Sequence, residues 1–167
     1  MDDASAGGPA PLTPDRGEPH GSPGRRLAAI AALAVVPWTV ILIYGEVTLV
    51  FPFGFVNTNP PELIDTYTLL VVAKGGLPRN PELLPLSILF YLVALASAAA
   101  GLVGREDARF TAGILVLAGL SHLGVAYAFS HRLAYTPVPF GAVLMFGVAW
   151  WYYWPSLRAL MLAPVDG

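Results

Sequence analysis

Apolar residues along this chain come in long runs, and polar residues collect between them. Four runs, 27–45, 82–103, 110–129 and 138–157, can cross a hydrocarbon core of ~30 Å, which takes roughly 20 helical residues. The pattern predicts an all-α fold: an integral membrane bundle of four transmembrane helices with a short interfacial helix on the outer side. Residues 104–109 (GREDAR) read as a tight charged hairpin, and the link after span three is short. Glu106 and Asp107 in that hairpin read as solvated loop charges.

The connection 47–81 is long and carries a helix signal of its own. Asn59 can cap, Pro60 suits a first turn, and Glu62 stands three residues after the cap. Lys74 lies near the far end, and Gly75-Gly76 supply a stop. Leu63, Ile64, Tyr67, Leu70 and Val71 share one helical face, which predicts an amphipathic helix lying at the interface. TYTLLVV is β-branched enough to keep a strand open as the rival. A second Asn-Pro-Glu-Leu, Asn80 to Leu83, starts span two by the same capping logic.

Residues 1–26 are rich in Pro, Gly, Asp and Ser and lack aromatic residues. Such a segment cannot offset the entropy of ordering, so it reads as a disordered cytoplasmic tail ahead of a membrane domain, 27–163. Arg25-Arg26 directly precede the first run. A twin-arginine export signal is disfavoured because the run is too long for a signal core. A membrane anchor with arginines on its inner side fits better. Placing both termini in the cytoplasm puts Arg16, Arg25, Arg26, Arg105, Arg109 and Arg158 inside and leaves Lys74, Arg79 and Arg132 outside, the bias expected of a multi-pass protein of the cell membrane. The WWYYW block, 150–154, then falls at the inner interface.

Composition narrows the chemistry. Charged residues are 12% of the chain, against about a quarter in soluble domains. The formal net charge of −2 offers no basic stripe for nucleic acid. There is no cysteine, which excludes disulfides, thiol catalysis and thiolate metal sites. No nucleophile elbow, phosphate loop, dinucleotide fingerprint or zincin motif occurs, so no catalytic residue, metal ligand or cofactor is expected.

Glu46 stands inside the apolar stretch LIYGEVTLVF. If span one begins at Leu27, Glu46 is nineteen residues on, ~28 Å away, and stays wet at the outer boundary. If the helix instead runs from near Ala34 through Phe53, Glu46 is buried and becomes a candidate ion or proton site. Arg25-Arg26 favour the first reading.

Counting down from the outer ends at 1.5 Å per residue puts Thr39 ~10 Å, Tyr91 ~13 Å and His122 ~12 Å deep. These three predict one polar layer, with room beside Gly147. In it His122 bonds Tyr91 or a backbone carbonyl and stays neutral. A lone histidine is more often a packing residue than a ligand, and no second His or Cys offers metal spacing. Ala94–Ala98 and Ser97–Gly101 give span two small-residue faces, suited to internal packing or to a second copy or another membrane protein.

VVPWTVILIYG followed by FPFGFVNTNPP resembles a family of small, uncharacterised haloarchaeal membrane proteins with about four spans. The likeness covers roughly residues 27–157; it implies a plasma-membrane location and carries no functional residue across. Two readings of function follow. The first is a small integral membrane protein, not an enzyme, working as an accessory or assembly subunit whose partners are the bilayer and other membrane proteins. The alternative is a minimal oligomeric transporter or channel using Glu46 and His122.

Overall fold

A computed structural model describes residues 20–68 and 82–161. Helices occupy three of the four apolar runs. They are α2 (Leu83–Ala100, continued by a 3-10 turn, Gly101–Val103), α3 (Ala108–Ser130) and α4 (Phe140–Met161). Asp107 starts α3, its carboxylate accepting from the backbone N–H groups of Arg109 and Phe110. Gly104, at φ 71°, makes the left-handed turn that ends the preceding 3-10 segment.

The first run does not form a span, and the all-α bundle of four transmembrane helices is incorrect. Helix α1 covers only Pro23–Ala32 and is followed by five strands: β1 (Thr39–Ile43), β2 (Glu46–Phe51), β3 (Gly54–Thr58), β4 (Pro61–Asp65) and, before α4, β5 (Tyr135–Val138). All pairings are antiparallel, in the order β4-β3-β2-β1-β5. Pro37 has no N–H to continue a helix and disfavours helical backbone at Val36. Beyond it, Thr-Val-Ile-Leu-Ile is mostly β-branched and lies between two strands that satisfy its backbone groups.

Register explains the turns. Ile43 pairs with Glu46 across Tyr44-Gly45, whose φ angles of 49° and 90° are those of a tight two-residue hairpin. Phe51 pairs with Gly54, and Thr58 pairs with Pro61 across a cis Asn59–Pro60 peptide. The expected interfacial helix is therefore also corrected: Asn59-Pro60 is a hairpin turn, not a helix cap, and Leu63 and Ile64 lie on β4. The remainder of that expected helix, from Leu69 on, and Asn80 lie outside the described residues.

Only two described helices, Leu83–Val103 and Ala108–Ser130, are long and apolar enough to cross a membrane. α4 is as long, but its second half is the amphipathic Trp-Trp-Tyr-Tyr-Trp block, followed by Pro155 inside the helix and by Arg158 in its last turn. The four-helix bundle, and with it a multi-pass topology of four spans, therefore does not fit this mixed architecture.

One core joins α1 to the helices through Ile30, Leu33, Trp38, Tyr91, Leu115, Met145 and Tyr153. A second joins the inner sheet face (Ile41, Val50, Phe55) to the start of α2 (Leu84) and the end of α3 (Val125, Phe129). The other sheet face is also aliphatic: Leu63, Val56, Leu49, Val40 and Val138 stand directly opposite one another across all five strands.

Candidate functional site

α1 ends at Ala32, and its last carbonyls accept from the turn that follows, Ile30 from the Leu33 N–H, Ala31 from Ala34 and Ala32 from Val35. Two aromatic side chains add bonds at this end. The Tyr91 hydroxyl donates to the Ile30 carbonyl at 3.0 Å, and Trp38 Nε1 donates to the Leu33 carbonyl at 2.8 Å. The Trp38 ring then sits edge-on between Tyr91 and His122, with both ring centroids 5.2 Å away. Gly141 at the start of α4 completes the wall: its N–H donates to the Trp38 carbonyl at 2.8 Å, and a Cβ there would lie 2.6 Å from Trp38 Cα.

Thr39 Oγ1 and His122 Nε2 share a hydrogen bond of 2.8 Å inside this cluster, both residues fully buried. His122 Nδ1 has no hydrogen-bond partner among the described residues. The Thr39 hydroxyl can accept from Nε2–H or donate to a bare Nε2, so this bond serves either tautomer of the imidazole.

Thr39, Tyr91 and His122 are thus brought together around Trp38, but Tyr91 bonds α1 and not His122. Thr39 reaches His122 from a strand, not from a helix. Gly147 is elsewhere, exposed with nothing near its Cβ position. Glu46 is exposed and accepts from Asn59 Nδ2 at 3.3 Å. It pairs with Ile43, at the opposite end of β1 from Thr39, so four strand residues, ~13 Å, separate it from the histidine's partner. Glu46 and His122 do not share a site.

A second polar cluster lies at the hairpin end of the helices. Arg26 Nη2 donates to Glu106 Oε2 at 2.7 Å, with side-chain exposures of 9% and 4%. Tyr153 donates to Glu106 Oε1 at 2.6 Å, and Arg26 Nη1 donates to the Gly21 carbonyl at 3.3 Å. Arg26, assigned by sequence to the tail, is therefore part of α1 and buried. Glu106 is not a solvated loop charge. Gly101 makes its approach possible, because a Cβ there would stand 2.7 Å from Glu106 Oε2. One signal was available: Asp107 just before an apolar helix reads as a cap, which leaves Glu106 outside the helix and able to turn inward. Nothing in the spacing pairs residue 26 with residue 106.

The small-residue face of α2 is filled by this chain, with Ala94, Ala98 and Gly101 buried and Ser97 bonded to Thr111 at 2.7 Å. Among the described residues, no group of three His, Asp or Glu side chains could hold a metal ion.

Residues 11–163 match the family described as a domain of unknown function, DUF8050. The chain belongs to the DUF8050 family. The match takes in both polar clusters, the sheet and all three long helices. No curated protein matches the chain.

Proposed function

We propose that this DUF8050 protein is an integral membrane protein without catalytic activity, acting as an accessory or assembly subunit. The exposed apolar surface of α2 carries the reading. In its most apolar window only 28% of residues are buried, and Leu86, Leu89 and Leu92 point outward one turn apart. The core helix of a soluble protein is mostly buried, and a bare apolar face of this length suits contact with lipid. α3 presents a matching outer row in Leu117, Leu120, Leu123 and Tyr127.

The non-catalytic part of the proposal rests on how the buried polar groups are used. Tyr91, Trp38, Thr39, Arg26, Glu106 and Tyr153 spend hydrogen bonds holding α1 and β1 against the long helices. Among the described residues the hydroxyl that stands beside a possible general base is Thr39 at His122, and both are fully buried, which gives a substrate no access to the pair. In this proposal the hairpin end, with exposed Arg25, Arg105, Arg109 and Arg158, faces the cytoplasm, and the sheet faces outward.

Membranes washed with alkaline carbonate should retain the full-length chain; release into the supernatant overturns the membrane assignment. The chain has no cysteine, so single cysteines report topology directly. An impermeant maleimide should label Thr136→Cys in intact cells and Arg105→Cys only after lysis, and the reverse pattern inverts the orientation. Proteoliposomes holding the pure protein should show no solute flux; flux that disappears in Glu46→Gln or His122→Ala would replace the accessory role with transport.

A further inference from the structure

Trp150, Trp151 and Trp154 of α4, with His20 from the segment before α1, line an open cavity of about 250 Å³. The aromatic wall is ordered: Trp150 and Trp154 stack with centroids 4.0 Å apart and planes at 23°. The His20 wall is also held in place, its backbone N–H donating to the Tyr152 carbonyl at 2.7 Å. Gly21, at φ 78°, turns the chain there, and a Cβ at that position would stand 3.3 Å from the Tyr152 ring.

Charge around this cavity is one-sided. Arg158 follows Trp154 by one helical turn and Trp151 by two, so it lies on the same face of α4. Arg25, Arg105, Arg109 and Arg158 are exposed at this end of the helices, whereas Asp107 is the one exposed carboxylate among the described residues there. Glu106 is already engaged by Arg26. Indoles flanked by cations match the junction of a lipid, where apolar glycerol esters meet a phosphate. The volume holds on the order of eight waters at ~30 Å³ each, room for a headgroup and glycerol but not for a whole lipid.

We propose that Trp150, Trp151, Trp154, His20 and Arg158 form a binding site for the headgroup of an anionic phospholipid. The phosphate sits between the Arg158 guanidinium and an N–H of the His20 imidazole, and the glycerol region lies on the indoles. The proposal rests on the membrane assignment above.

Tryptophan fluorescence separates the two. Three of the four tryptophans line the cavity, and the fourth, Trp38, is fully buried. The full chain is reconstituted in phosphatidylcholine vesicles containing phosphatidylglycerol, with bromine carried on one lipid or the other at the same mole fraction. Brominated phosphatidylglycerol should quench as if bound about fivefold more tightly than brominated phosphatidylcholine, the factor one basic side chain contributes at a membrane surface. Arg158→Ala should bring the two lipids to equal quenching. Millimolar inorganic phosphate should leave the quenching unchanged. Equal quenching in the unmodified protein overturns the site, as does a preference that survives both Arg158→Ala and His20→Ala. Relief of quenching by inorganic phosphate makes it a phosphate site, not a lipid site, and also overturns the proposal. Absence of quenching by either brominated lipid sinks the membrane assignment itself.

Discussion

Glu106→Gln removes one charge from a buried pair and changes little else in shape. Arg26 would keep a full charge at 9% side-chain exposure, facing a neutral amide oxygen in place of a carboxylate, with the Gly21 carbonyl at 3.3 Å as its other acceptor and Nε still unpartnered. Ion pairs on the surface are worth about 0–1 kcal/mol because water replaces the lost partner. Here water has little access, and stripping one partner from a buried pair costs about 3–5 kcal/mol. Against a typical total of about 5–15 kcal/mol, that is a large fraction of the stability. The assay is reversible unfolding of the purified chain in mixed micelles, followed by fluorescence. A control separates the pair's net worth from the cost of a stranded charge. Replacing all three groups by apolar ones (Arg26→Met, Glu106→Leu, Tyr153→Phe) should restore stability to near that of the parent, since buried ionic clusters often gain nothing over apolar packing. Loss of under about 1 kcal/mol in Glu106→Gln would show that water reaches the pair and would refute the argument from burial.

Tyr91→Phe should cost about 1 kcal/mol, because the Ile30 carbonyl also accepts from the Leu33 N–H at 3.1 Å and is not orphaned. Thr39→Val strips His122 Nε2 of its partner and should cost more than Tyr91→Phe in the same unfolding assay; equal costs would show that the imidazole is satisfied without Thr39. Gly141→Ala should destabilise by about 1–3 kcal/mol, since its Cβ would meet Trp38 backbone that cannot swing away, whereas Gly147→Ala should be neutral or slightly stabilising. Asp65 accepts from the Thr68 hydroxyl at 2.6 Å and its N–H at 2.9 Å, which holds its carboxyl below the usual range near 3.9. A lowered value means that the contribution is complete above about pH 4 and fades as the pH falls through the folded-state value. The protection factor of the Thr68 amide, its exchange rate relative to an unstructured chain at the same pH, should fall below that point, and a protection factor that does not change with pH would remove the carboxylate from the turn.

What residues 82–130 and 140–161 become is dictated locally. Their apolar runs exceed the length of any strand, their breaks are charged or glycine-rich, and Asp107 caps where one run resumes. α2, α3 and α4 therefore fall where hydropathy alone puts them. Residues 27–65 were decided by tertiary structure. The same run of apolar residues satisfies a helix in lipid and a strand between two others, and hydropathy does not distinguish them. Pro37, Tyr44-Gly45, Pro52 and Asn59-Pro60 are the local clues, each a helix breaker or a hairpin turn. They decide the outcome only because β5, ninety-odd residues later, pairs with β1 and satisfies its second edge. The same holds for the polar clusters. His122 and Tyr91 could be placed near one depth by counting along helices, since rise per residue is fixed. Which partner each would take depended on where α1 ends, because the Ile30 and Leu33 carbonyls at that end accept from Tyr91 and Trp38, while Thr39 bonds the imidazole. Arg26 and Glu106 carry no mutual signal in a single sequence. Their attraction falls off with distance in space and is indifferent to the eighty positions between them.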